Sequence, residues 1–476
     1  MTALYLSLAA IGFGLFLLLQ PKVKALVAYF LMMQFFDVAP SELFGMYVWD
    51  YGAILMLVLA AEVFLRKPAL RRPKHGYLTA LRVFLGWMVI CLIWSLLVYR
   101  YPLMHTIKNA RYMFLGYFMT LVFIRLFMVQ PESFEFLMKW FYRLTFMLMP
   151  VVVLQYVLHK PLLFGTVGEY EGAIRAIPIF LPFCLLNLWI ILTKFLSSGR
   201  LAIPEAIYAA LVLVTVALTY TRGIYIGVIF TAALLVWTMF RDHTLKPSSM
   251  FSVVLVGILV LAVLLASGLA AKVGGRAISG LNLLGSNDTS STGRVKDDTF
   301  NGRLGLAAER FALAWDQNPM VGYGFIHEDD VPVDLRSKLK YGTVLGGTAA
   351  DPTAFSRFYE GGHYMLGLYT ADIAWADIVI CTGWVGVLLF MAVALSFALG
   401  HYLNKDDIHP MGYAVRTGLF LQLAMLLLLM FDGNNFYSVM HIPAFLLAGY
   451  SLTHHGRAPV KTNVQAGQLR PANLIT

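Results

Sequence analysis

The sequence predicts an all-α, polytopic integral membrane protein. Of its 476 residues, 59% are hydrophobic and only 13% are charged, whereas soluble domains are about 25% charged. Mean hydropathy is +0.72. Apolar runs of roughly 20 residues, each long enough to cross a bilayer core, recur from end to end. A β-barrel would instead show short segments of alternating hydrophobicity.

We predict 12–13 transmembrane helices, most of them before residue 272. The predicted spans are roughly 2–20, 23–39, 46–65, 78–99, 108–129, 135–158, 176–196, 202–221, 223–240, 249–271, 377–401, 411–431 and 437–453. Four regions follow: N-terminal helices (1–271), a long external loop that contains helices (272–376), C-terminal helices (377–453) and a tail (454–476).

Basic residues predict the orientation. The densest short basic cluster is RKPALRRPK at 66–74, and loops rich in Lys and Arg stay in the cytoplasm. The N-terminus is then external and the tail cytoplasmic. Topology therefore explains most of the net charge of +10 without nucleic-acid binding. The few basic residues left outside are Arg100, Lys108, Arg111, Lys160, Arg175 and Arg222.

The cysteines indicate neither disulfides nor a metal centre. Cys91, Cys184 and Cys381 all fall inside apolar runs, where a thiol behaves as a small apolar packing group. Their spacing matches no metal-binding pattern.

The external loop contains an amphipathic helix pattern after the polar stretch 285–303. Arg303 and Arg310 are seven residues apart and share a neighbouring stripe. Asn318-Pro319 ends the helix, and the following Gly-Tyr-Gly makes a tight turn. The apolar stripe, at spacing i, i+4, i+7 and i+11, consists of Leu304, Ala308, Phe311 and Trp315. We expect a helix on the membrane surface with its arginines directed sideways; a purely structural surface helix is the alternative.

The next stretch, HEDDVPVDLRSKLKYG (327–342), alternates acidic and basic patches. Contiguous acids point in different directions, so a solvated charge run is favoured over a metal site. His363, Asp372 and Trp375 follow close to the membrane.

Four stretches together resemble a known superfamily. GAIRAIPIFLPF (172–183) opens a helix with an arginine, and ALTYTRGIYIG (217–227) ends one helix at Thr-Arg-Gly where the next begins. GRLGLAAERFALAWDQNPMVGYGF (302–325) contains Arg, Trp and Pro-x-x-Gly-x-Gly, and CTGWVGVLLF (381–390) contains Gly-x-x-Gly. In this order, over roughly 170–400, they resemble the O-antigen ligase/polymerase superfamily.

The resemblance implies a metal-independent membrane glycosyltransferase of the type C fold. Its substrates hang from undecaprenyl diphosphate, and its members polymerise repeat units or ligate finished polymer to lipid A core. Many members place a His-Asn pair about a dozen residues before the Gly-x-x-Gly helix. Here that spacing reaches Asp372, while His363 lies twenty residues before Gly383 and precedes a tyrosine. Both remain candidates for the catalytic base.

Binding residues follow from the chemistry of a diphosphate and a sugar. Arginine offers a planar fork that matches phosphate oxygens and stays charged. Aromatic rings can stack on sugars or belong to an interfacial belt. The candidates for substrate binding are Arg175, Arg222, Arg303, Arg310, Trp315 and Tyr323.

The expected function is polymerisation of lipid-linked repeat units on the external, periplasmic face of the bacterial inner membrane. Ligation to lipid A core is the first alternative. A transporter is the second, disfavoured because charges such as Glu62 and Arg143 lie toward span ends. Expected partners are the lipid-linked glycan donor, a glycan acceptor, the bilayer and other polysaccharide assembly proteins. No nucleic acid, cofactor or metal is expected.

Overall fold

The computed structural model describes most of the helical bundle and part of the external loop. The described residues are 12–32, 42–43, 46–69, 76–160, 162–163, 168–170, 173–175, 178, 180–219, 221–246, 300–340, 359–360, 363–364, 367–369, 373–403 and 410–429. The predicted spans 249–271 and 437–453 and the polar stretch 285–299 lie outside them.

The regular secondary structure of the described residues is helical, including a short 3-10 turn at Glu328–Asp330, apart from three strand pairs of two or three residues each. The helices are α1 (Pro21–Met32), α2 (Val48–Leu65), α3 (Gly76–Leu97), α4 (Leu103–Val129), α5 (Glu132–Leu158), α6 (Leu181–Ser198), α7 (Ile203–Leu218), α8 (Arg222–Arg241), α9 (Phe300–Gln317), α10 (Val333–Lys338), α11 (Ala374–Leu403) and α12 (Pro410–Leu429). The antiparallel pairs are β1 (Glu42–Leu43) with β2 (Met46–Tyr47), β3 (Gly168–Tyr170) with β4 (Ala173–Arg175), and β5 (Tyr359–Glu360) with β6 (His363–Tyr364).

Length and composition confirm the all-α, multi-pass membrane class. Within the described residues, the segments apolar and long enough to span are Leu78–Leu97, Glu132–Leu158, Leu181–Ser198, Gly223–Arg241 and Ala374–Ser396. A sixth candidate is α4, whose parts Leu103–Arg111 and Gly116–Val129 meet at a bend of 53°. Shorter apolar helices occur in α7 and α12.

Several predicted spans differ by a few residues from the observed helices, and two of these differences concern helices near the candidate site. The helix predicted at 108–129 begins earlier, at Leu103, and its first part bends away from the rest. The span predicted at 377–401 begins at Ala374 and is interrupted at Gly383, where φ is 65° and ψ is −172°. That interruption positions the candidate site.

Helix–helix packing gives the bundle its core, both between neighbouring helices and between distant parts of the chain. Helix α6 packs against α12, α3 against α11, and α1 against α2. Charges at the predicted cytoplasmic end are paired: Lys24 Nζ lies 2.6 Å from Glu62, and Lys194 Nζ lies 2.6 Å from Glu205. Pairing offsets the cost of holding these groups near hydrocarbon.

Candidate functional site

Helix α9 packs against α11 through a face that the sequence pattern did not predict. The buried residues are Leu306, Ala307, Arg310 and Ala314. In contrast, Leu304 is 45% exposed and Trp315 is 59% exposed. The predicted apolar stripe is therefore directed largely outward, and the small residues beside Arg310 allow close contact with α11.

The predicted turn after α9 is confirmed and docks onto the interruption of α11. Asn318 Oδ1 accepts the backbone N–H of Met320 at 2.9 Å and of Val321 at 3.3 Å, which fixes the turn. Tyr323 N–H then donates to Ile380 O at 2.9 Å, and Trp384 N–H donates to Pro319 O at 2.9 Å.

These two bonds replace one that the helix lacks. In a continuous helix Trp384 N–H would donate to Ile380 O, four residues earlier. The non-helical backbone at Gly383 separates the two groups, and the turn satisfies both of them. An unsatisfied backbone group inside a membrane protein costs several kcal/mol, so the turn and the break stabilise each other. We call this contact the turn–helix junction (residues 318–324 with 380–384).

Three glycines make the junction possible. Gly322, Gly324 and Gly383 all have positive φ, near +65°, a region that side chains rarely adopt. A Cβ on Gly322 would lie 2.6 Å from Ile380 O, and one on Gly383 would overlap Met320 O. The spacing of glycines in both motifs therefore reflects close backbone contact.

Helix α3 supports the junction from a third side. Trp87 Nε1 donates to Thr382 O at 2.9 Å. Ser95 Oγ accepts Phe325 N–H at 2.8 Å, and Tyr99 OH donates to Gly322 O at 2.8 Å. Side chains from α3, and from Tyr99 two residues beyond its end, thus fix both partners of the junction in one arrangement.

Arg310 does not point sideways along the membrane, so that prediction is wrong. Its guanidinium is fully buried. Nε donates to Leu368 O at 2.8 Å and Nη2 to Gly367 O at 3.0 Å. Nη1 forms an ion pair with Glu309, whose other oxygen accepts Lys340 N–H at 2.7 Å. The planar fork therefore connects α9 to the chain segment before α11.

Several carboxylates surround this arginine. Burial lowers the pKa of Arg310, and Glu309, Asp377 and Glu328 oppose that effect because their negative charge favours the protonated form. Asp377, in the first turn of α11, is only 2% exposed. The result is a largely buried group of charges (Glu309, Arg310, Glu328, Arg336 and Asp377), which we call the buried ionic cluster.

The acidic run 327–330 is not simply solvated, as the sequence suggested. Glu328 accepts Tyr369 N–H at 2.7 Å and pairs with Arg336 Nη1 at 3.0 Å. Arg336 itself is buried. Asp330 lies 3.0 Å from His105 Nδ1 at the start of α4, and Asp329 is the exposed member. Folding of this run attaches the loop to the bundle.

Helix α4 adds neutral contacts to the same surface. Asn109 Nδ2 donates to Ile326 O at 2.8 Å and to Tyr369 OH at 2.7 Å. These bonds hold residues 326 and 369, which flank the ionic cluster, against the bent first part of α4.

Two candidate aromatic residues have different environments. Trp315 meets Trp384 edge-on, with ring centroids 5.8 Å apart, yet keeps an exposed face. Tyr323 is buried in the turn, and burial raises the pKa of its hydroxyl. Trp315 is therefore the more accessible ring for stacking on a sugar.

Other predicted site residues are located by their backbone alone. Arg175 ends β4, paired with Gly168, and α6 begins only at Leu181, so the prediction that this arginine opens a helix is wrong. Arg222 opens α8 directly after Thr221, which confirms the prediction that a helix begins there with almost no loop. Arg303 lies in the first turn of α9, and His363 opens β6 opposite Glu360. Asp372 lies outside the described residues.

Most of the buried ionic cluster was not predicted from the sequence. Glu309 adjoins Arg310 in sequence, and Asp377 is an acid at the start of a strongly apolar helix. Both features could have indicated a buried pair. Among the residues that the structure describes, no three His, Cys, Asp or Glu side chains form a group that could hold a metal ion.

A comparison with protein families finds a match for the middle of the chain. Residues 207–391 match the family described as O-antigen ligase. This segment belongs to the O-antigen ligase/polymerase superfamily. The superfamily domain includes α8, α9, the turn–helix junction and the ionic cluster. The matched segment begins after Arg175, so this candidate residue lies outside it. No curated protein matches the chain.

The superfamily match supports a coarse statement of function. The chain is a multi-pass membrane protein with a glycosyltransferase-like, O-antigen ligase/polymerase type of domain. The two motifs quoted from 302–325 and 381–390 are joined in space at the junction, which gives their shared order in the sequence a structural reason.

Proposed function

We propose that this membrane enzyme polymerises oligosaccharide repeat units linked to undecaprenyl diphosphate, forming a surface polysaccharide at the periplasmic face of the bacterial inner membrane. The observation that carries the proposal is the superfamily domain at 207–391. It includes five of the six candidate binding residues, namely Arg222, Arg303, Arg310, Trp315 and Tyr323.

The reaction is a displacement at the anomeric carbon of the donor sugar. An acceptor hydroxyl attacks that carbon, and the bond to the diphosphate oxygen breaks with its electron pair leaving on the diphosphate. Arginines stabilise the developing negative charge. A base near the acceptor takes the hydroxyl proton, and His363 or Asp372 fills this role. This chemistry requires no cofactor or metal.

Arg310 contributes by positioning rather than by direct contact in this arrangement. Its guanidinium binds the carbonyls of Gly367 and Leu368. These two residues lie between His363 and Asp372 in the chain, so Arg310 fixes the segment that bears both candidate bases. Arg175, Arg222 and Arg303 are then the arginines that bind the diphosphate. Trp315 stacks against a donor sugar.

Ligation is the second candidate function, because the matched family is described as O-antigen ligase. In that case the acceptor is lipid A core instead of another lipid-linked repeat unit. Both functions use the same donor class and the same leaving group, so the acceptor alone separates them. Other polysaccharide assembly proteins are the expected partners of either activity.

Deletion of the gene distinguishes the two. A polymerase deletion is expected to leave single repeat units on the lipid carrier, detected by mass spectrometry of extracted lipids. A ligase deletion would leave long polymer on the carrier and unmodified lipid A core. Reintroducing the wild-type gene should restore the product, while an unchanged lipid and polysaccharide profile in the deletion would contradict both functions.

A further inference from the structure

Two cavities lie in one groove among α2, α3 and α4, outside the superfamily domain. The first has a volume of about 290 Å³ and is lined by Phe64, Leu78, Arg82, Leu121, Arg125 and Met128, among others. The second has a volume of about 340 Å³ and is lined by Leu57, Leu85, Gly86, Val89, Phe114 and Phe118. On α3 and on α4 the lining positions follow one stripe from turn to turn, so the cavities form one groove.

One end of this groove carries two arginines. Arg82 is exposed and makes no hydrogen bond or ion pair within the part of the chain that the structure describes. Arg125 donates Nε to Val63 O at 3.1 Å and Nη2 to Arg66 O at 2.7 Å. Those bonds cap the end of α2 and orient the guanidinium of Arg125, which lines the first cavity.

The other end is wholly apolar. All six residues of the second cavity are hydrophobic or glycine. A Cβ placed on Gly86 would meet nothing within 4 Å, so the space beside this glycine is open. Inside a bilayer, such a surface is covered by hydrocarbon.

Arg82 and Arg125 lie at a depth in the membrane that suits the phosphate of a lipid headgroup. Arg82 lies six residues after the start of α3 at Gly76, or about 9 Å along a helix. This is the end of the bundle that carries the basic cluster 66–74, predicted to be cytoplasmic. Basic pockets between transmembrane helices on that side bind anionic headgroups.

We propose that this groove binds one anionic diacyl phospholipid, with its phosphate at Arg82 and Arg125 and an acyl chain along the apolar end. The site lies at the opposite predicted face from the donor site and does not depend on glycan transfer. Bound lipid would stabilise α3 beside Trp87, which donates to Thr382 O in the turn–helix junction.

Native mass spectrometry of the full-length protein tests the proposal, with phosphatidylglycerol and phosphatidylcholine as probes. We expect one phosphatidylglycerol to bind at least about tenfold more tightly than phosphatidylcholine, the scale of a contact with a charged group. Arg82→Gln should remove that preference. Arg200→Gln is the matched control, because Arg200 is exposed and lies outside both cavities.

A second variant tests the acyl end independently. Gly86→Phe should fill the open space and abolish binding although both arginines remain, whereas Gly86→Ala should bind as the wild type does. Size-exclusion profiles confirm folding. The proposal would be overturned if Arg82→Gln and Gly86→Phe both bound phosphatidylglycerol as the wild type does. Displacement of the lipid by inorganic phosphate would also overturn it. Selective binding of a polyprenyl phosphate alone would also overturn it.

Discussion

Substituting Gly383 by alanine is expected to prevent the protein from accumulating in folded form. The residue has φ 65° and ψ −172°, a region essentially restricted to glycine. Backbone strain alone costs about 1–3 kcal/mol. A Cβ would also overlap Met320 O, which separates the turn from α11 and leaves Ile380 O and Trp384 N–H without partners. Two unsatisfied groups add several kcal/mol.

Thermal unfolding of detergent-purified protein measures this effect, together with the yield of the monodisperse protein. The control is Gly86→Ala, because Gly86 also lies within a transmembrane helix but has open space beside it. We expect the control to be as stable as the wild type or slightly more so, since alanine favours helix over glycine. Equal stability of Gly383→Ala and wild type would show that the junction is not required for folding.

Replacing Arg310 by methionine is the second change for which we expect a large effect. It removes the counter-charge of Glu309 and weakens the electrostatic support of Asp377, and it leaves the carbonyls of Gly367 and Leu368 without their donor. Removing one partner from a buried pair costs about 3–5 kcal/mol. Arg310→Lys should be intermediate, because lysine keeps the charge and loses the fork.

This prediction is checked by measuring the unfolding temperature and the polysaccharide production of the same variants. The matched control is Arg100→Met, at an exposed arginine on the same predicted side of the membrane. We expect the control to behave as the wild type in both assays. If Arg310→Met kept normal stability and normal polymer, the buried ionic cluster would have no structural role, and the positioning of the segment between His363 and Asp372 would need another explanation.

Most of the fold could be predicted from the hydropathy of the sequence and from the residues that favour turns. Apolar runs identified the spans, and Asn318-Pro319 with Gly-Tyr-Gly identified the end of α9, because these signals are local. The interruption of α11 was not predicted, since a glycine within an apolar run is equally compatible with an intact helix. Only the docked turn, more than fifty residues earlier in the chain, explains why α11 breaks at Gly383.

The site was predicted less completely for a related physical reason. Periodicity placed Leu304 and Trp315 on an apolar face and directed Arg310 sideways along the membrane surface. The structure buries Arg310 instead, because backbone carbonyls at 367 and 368 and the carboxylate of Glu309 satisfy its donors. A hydrophobic pattern cannot reveal such partners, which come from another part of the loop. Recognition of the superfamily rested on motif order and was confirmed by the match at 207–391.

The most direct test of the account is turnover of an undecaprenyl-diphosphate-linked repeat unit by purified protein in proteoliposomes, comparing wild type with Arg222→Lys. Arg222 opens α8 after Thr221 with almost no loop, at the predicted external interface. A charge alone would suffice for a membrane anchor, whereas a bidentate phosphate contact needs the planar fork. We predict that the wild type forms polymer and that Arg222→Lys folds normally but is slower by roughly 10²–10³, equivalent to about 2–4 kcal/mol. Full activity of a well-folded Arg222→Lys protein, with Arg100→Lys as the matched control, would contradict the diphosphate site.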